Sequence, residues 1–82
     1  MKVYLKPAAG SARDNLESAK VEMERVVGFR GKVTGARAEG KRILVTIEVN
    51  PKWGLAEEEK VPQLSKWIEA KTRKFFRVQS IE

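Results

Sequence analysis

The chain has 82 residues, 34% of them charged, a net charge of +6, and neither cysteine nor histidine. A chain of that size is read as a single domain, residues 1–82, that buries only about 60–65% of its extended surface. Without cysteine there is no disulfide framework and no thiolate chemistry. Without histidine the commonest general base and the commonest transition-metal ligand are gone. The expectation is therefore a protein that is not an enzyme, with no catalytic residue, no cofactor and no metal. No apolar run is long enough to cross a bilayer. Met1–Pro7 alternates instead of forming the apolar core of a signal peptide, so a cytoplasmic protein with no membrane partner is expected.

Lys2–Lys6 reads as a short strand, with Val3 and Leu5 on one face and Tyr4 on the other, closed by Pro7. Ser11, followed three residues later by Asp14, is a helix-capping signal. The helix it opens runs to about Val27 and carries Ala12, Leu16, Ala19, Met23, Val26 and Val27 on one face. Gly28 is placed to end it in a left-handed conformation. Val21 falls on the charged side of this helix. Phe29 is expected to lead into the next element and pack beneath it.

Arg30–Asn50 reads as a β-hairpin. Its second arm alternates without a break: Ile43, Val45, Ile47 and Val49 face one way, Arg42, Leu44, Thr46 and Glu48 the other. Val33 on the first arm must share the Ile/Val face. A two-residue Glu39-Gly40 turn would put it on the opposite face, because a one-residue slip flips every side chain. A three-residue loop, Ala38-Glu39-Gly40, restores the parity and sets Val33 against Val45.

Beyond the hairpin, Asn50–Gly54 has turn chemistry, and Trp53 is read as a lid over the sheet. Glu57-Glu58-Glu59 are solvated carboxylates ahead of a helix start. Pro62 suits the first position of that helix, which carries Leu64, Trp67, Ile68 and Phe75 on one face. Phe76–Ile81 has strand-like content; it forms a fourth strand or prolongs the helix. The resulting order, β-α-β-β-α-(β), defines an α+β fold: an antiparallel sheet of three or four strands with two helices packed on one face, in ferredoxin-like split β-α-β order.

Charge alternates along the chain: positive over residues 1–13, negative over 14–29, positive over 30–42, negative over 43–59 and positive again over 60–82. Two basic clusters stand out. One is the hairpin tip, Arg37, Lys41 and Arg42. The other is the last helix, where Lys66, Arg73 and Arg77 lie at i, i+7 and i+11 with Lys74 alongside. Lys and Arg so placed can follow a phosphate backbone by releasing counterions, with no base readout. The plain alternative is that these are solvated faces of amphipathic elements. The open sheet face is expected to carry Tyr4, Lys32, Thr34, Arg42, Leu44 and Thr46, and its aromatic and cations could stack and grip a single strand. The RNA recognition motif uses such a face but carries aromatics on two central strands; the Lys41–Val49 arm has none, so membership is not indicated. Gly28-Phe29-Arg30 is similar to a fragment that acylphosphatases place ahead of their first helix. Here it follows the helix, and no catalytic role carries over.

Two functions are weighed. The first is a small basic nucleic-acid-binding protein making largely sequence-independent phosphate contacts with DNA or RNA. The second is a protein-binding or self-assembling module, such as a small adaptor or inhibitor, using the open sheet face or an edge strand; a homodimer is one form of it.

Overall fold

The computed structural model describes residues 1–73 and 75–82. It contains four strands, β1 (Lys2–Pro7), β2 (Gly31–Glu39), β3 (Arg42–Val49) and β4 (Phe76–Ile81), and two helices, α1 (Leu16–Val27) and α2 (Glu57–Lys71). Short 3-10 turns occupy Arg13–Asn15 and Gly28–Arg30. The strands form one antiparallel sheet in the order β2-β3-β1-β4. This is the expected α+β class, with a strand order compatible with the split β-α-β arrangement.

The apolar rows form the core as their alternation requires. Val3 and Leu5 of β1 and Ile43, Val45 and Ile47 of β3 are buried against Ala19, Met23, Val26 and Val27 of α1 and Leu64 and Ile68 of α2. Trp53 packs at the margin of this cluster, as a lid would. β1 and β3 sit at the centre of the sheet, so each has a paired strand on both sides. β2 and β4 are the edges.

The hairpin reaches correct parity by a different device from the one expected. Its link is the two-residue Gly40-Lys41 turn, with Glu39 opposite Arg42. Gly40 has φ 62°, which a type II′ turn needs at its first linking position. The compensating slip is a β-bulge at Thr34: Val33 pairs with Ile47, and the next pair is Gly35 with Thr46. Val33 does face the core, but opposite Ile47, not Val45. A bulge and an odd loop each shift the register by one residue, so both satisfy the same side-chain pattern.

Ser11 caps the first helical segment as expected: its hydroxyl accepts the Asp14 N–H at 3.1 Å. The 3-10 turn then intervenes before α1 proper. At the far end Gly28 has φ 56° and ψ −133°, a positive-φ conformation outside the left-handed helical basin. Phe29 does not pack under the sheet; it is 65% exposed. Asn50 accounts for this. Its side-chain amide donates to the Phe29 carbonyl at 2.8 Å, and its backbone N–H donates to that of Arg30 at 2.9 Å. Held by its backbone, the turn sends Phe29 outward and brings the Arg30 guanidinium over the Trp67 ring, 3.9 Å from its centroid.

α2 begins five residues before Pro62, so the proline is inside the helix, not at its start. The earlier turn is held from outside. Lys60 is buried to 3% exposure and donates to the Pro51 carbonyl at 2.9 Å and to the Glu57 carboxylate at 2.7 Å. Glu57–Glu59 form the first turn, where the helix dipole favours negative charge. α2 ends at Lys71, where the Thr72 N–H and hydroxyl both donate to the Ile68 carbonyl. The chain then turns, with the Phe76 N–H donating to the Arg73 carbonyl, and enters β4. Phe76 is therefore buried in the core, while Phe75, expected on the helix's apolar face, is 65% exposed.

Candidate nucleic-acid interface

The sheet face turned away from the helices is defined by β-strand parity. On β1 it presents Lys2, Tyr4 and Lys6; on β3, Arg42, Leu44, Thr46 and Glu48. β2 adds Lys32, Arg37 and Glu39, and β4 adds Arg77 and Ser80. Six cations thus share this face with two carboxylates. Same-face neighbours stand about 6.6 Å apart along a strand and about 4.8 Å apart between strands. Lys6 lines one hollow with Lys41 of the hairpin turn and a second with Arg77. Positive groups therefore run across that end of the sheet.

The centre of the face is closed. Tyr4 and Leu44 oppose each other on adjacent strands, and both are buried, at 7% and 4% exposure. Over Tyr4 lies the Arg42 guanidinium, its carbon 4.0 Å from the ring centroid. A base cannot reach the tyrosine ring directly. What it meets is the guanidinium plane, which can itself stack on a base. Tyr4 thus acts as a support for Arg42.

Glu39 shares its carboxylate between two of the cations. Arg37 donates to it through Nε and Nη2, at 3.0 and 2.7 Å, and the Arg42 guanidinium is 3.8 Å away. Among the described residues, Lys2, Lys6, Lys32, Lys41 and Arg77 form no ion pair.

The second expected cluster does not assemble. The arrangement of Lys66, Arg73 and Arg77 required a helix continuing through residue 77, and α2 stops at Lys71. Lys66 is exposed on α2, which packs on the opposite side of the sheet. Arg73 lies in the following turn, where its backbone N–H donates to the Glu22 carboxylate. Arg77 moves to β4, opposite Lys6, and joins the open face. Lys74 lies outside the described residues.

Lys2 and Lys6 are the contributors that reading by clusters missed. Their signal was available: in Lys2-Val3-Tyr4-Leu5-Lys6 both lysines share the parity of Tyr4. On the helical side, Phe29, Arg30, Trp67 and Lys71 stack in series, Arg30 lying 4.6 Å from the Phe29 ring centroid and Lys71 Nζ 5.0 Å from that of Trp67. The Trp67 indole N–H donates to the Val26 carbonyl at 2.6 Å, which ties α2 to the end of α1.

Compared with models of protein families, with curated proteins and with solved structures, the chain matches none. Among the described residues no helix is long and apolar enough to cross a membrane, and no group of three or more carboxylates is gathered in a way that could hold a metal ion.

Proposed function

We propose that this chain binds nucleic acid through the open face of its sheet, by phosphate contacts with little sequence preference. The observation that carries this reading is the gathering of Lys2, Lys6, Lys32, Arg37, Arg42 and Arg77 on one face that neither helix covers. Phosphate charge is the complementary partner, and the release of counterions supplies affinity without base recognition. Four strands about 4.8 Å apart make a face too broad to enter a duplex major groove about 12 Å wide, so a single strand laid across it is the better fit.

Fluorescence anisotropy with single- and double-stranded DNA and RNA at two salt concentrations tests the proposal. With about 0.7 counterions released per single-strand phosphate contact, five or six cations give a log–log salt slope of about −3.5 to −4. Lys2→Glu combined with Arg77→Glu changes only exposed side chains and should abolish binding without changing the melt. Absence of binding to every nucleic acid at low salt would sink the proposal.

The alternative is a protein-binding module. Its sheet-face form has little apolar surface to offer, since Tyr4 and Leu44 are already covered. The two sheet edges each carry a bulge, at Thr34 in β2 and near Gln79 in β4, and bulges hinder edge pairing. What favours a protein partner is the groove between α1 and the start of β4, where Val21 and Phe75 are exposed. An association there would be nearly indifferent to salt.

A further inference from the structure

Neither a positive φ nor a close neighbouring atom requires glycine at Gly35: a Cβ built on it meets nothing within 4 Å. Gly31, on the same strand, is different: there a Cβ would come within 2.8 Å of the Glu48 carbonyl oxygen. Gly40 differs too, because its φ of 62° calls for glycine. In a strand interior glycine costs roughly 0.5–1 kcal/mol relative to alanine. What Gly35 provides is space. It stands beside the bulge at Thr34, opposite Thr46, where a depression of about 420 Å3 opens on the sheet face.

The chemistry around the depression is specific. Leu44, only 4% exposed, lies at its floor, and Lys2 and Arg37 border it. The Thr46 hydroxyl also lines it and has no hydrogen-bond partner among the described residues. Open space over a narrow apolar floor, one free hydroxyl and two flanking cations suit a heterocycle carried between two phosphates. We propose that this notch receives one unstacked nucleobase of a single strand, with Lys2 and Arg37 holding the phosphates on either side. The inference rests on the nucleic-acid reading above and adds to it a place where the strand is gripped by a base, not only by its backbone.

Gly35→Leu tests it, because the substitution fills the notch and leaves every charge in place. Anisotropy titrations would use oligo(dT) and oligo(rU) of about 12 nucleotides, within the span of known single-strand sites, and the same oligonucleotides with internal abasic positions. Wild type should bind the intact oligomers about tenfold more tightly than the abasic ones, equivalent to about 1.4 kcal/mol of base contact. Gly35→Leu should bind both equally, at the abasic level and with an unchanged salt slope. Gly35→Ser, a smaller filler, should fall between them, and both variants should melt at or above the wild-type temperature. The dT and rU arms decide whether DNA, RNA or both are accepted. Equal binding of intact and abasic strands by wild type, or wild-type affinity in Gly35→Leu, would overturn the notch while leaving phosphate binding intact. Failure of wild type to bind any oligomer would overturn the parent reading as well.

Discussion

Glu39 neutralises part of the positive charge at the hairpin, and on the proposed reading it limits what a ligand would meet there. It ties up Arg37 at 2.7 Å and stands 3.8 Å from Arg42, so a phosphate binding there would have to compete with a carboxylate already in place. Exposed ion pairs of this kind are worth about 0.2–1 kcal/mol. Glu39→Gln should therefore strengthen single-strand binding about two- to fivefold and steepen its salt slope, as measured by anisotropy. Unchanged affinity would show that the two arginines do not reach the ligand. The cationic character of Arg37, Lys41 and Arg42 was readable from the sequence. Their sharing of one carboxylate was not, because residues 37, 39 and 42 meet only once the turn is closed at Gly40-Lys41.

α2 shows how a local rule gives way to tertiary contacts. Proline is favoured at a first helical position, and Pro62 would be a natural start. The helix instead begins at Glu57, because Lys60 gains a buried bond to the Pro51 carbonyl and a partner in Glu57. Pro62 is then the sixth helical residue and leaves the Glu58 carbonyl without its i+4 donor. Pro62→Ala should restore that bond. Interior proline costs about 3 kcal/mol relative to alanine, less near an end and less for the entropy proline removes from the unfolded chain. A net gain of about 1 kcal/mol, or about 4–8 °C in Tm, is expected from a thermal melt. A lowered Tm would mean that the proline itself holds the first turn in place.

Across the molecule, the Glu22–Arg25 pair ties α1 to the end of α2 and the turn after it. Glu22 on α1 accepts two hydrogen bonds from Arg25, at 3.0 and 2.9 Å, and one from the Arg73 backbone N–H at 3.0 Å; Arg25 in turn donates to the Lys71 carbonyl at the end of α2. The Arg25 hydrogen bonds, helped by that of Arg73 and opposed by burial, hold the Glu22 carboxyl below its ordinary value of 4.5. A carboxylate with a lowered folded pKa stabilises the fold at every pH above its unfolded value. That contribution is lost as pH falls through the lower, folded value. Tm should therefore drop below about pH 4.5, and Glu22→Gln should flatten this part of the profile while lowering Tm at pH 7. A profile in the variant as steep as wild type would place the acid sensitivity elsewhere.

Alternation and helical spacing are local properties, and they alone determined most of the architecture. The parity of Val3 and Leu5, of Ile43, Val45 and Ile47, and the α1 stripe specified which faces meet, and with them the face left open to carry Tyr4, Arg42 and Thr46. A side-chain pattern says which way a residue points but not which residue it faces. The bulge at Thr34 could therefore stand in for an odd loop without any mark in the sequence. Where α2 stops was likewise decided in three dimensions. No glycine marks the boundary, and Lys66, Arg73 and Arg77 fit a continuing helix. The free edge of β1 and the space for Phe76 beneath the sheet drew the chain into β4 instead, carrying Arg77 to the open face.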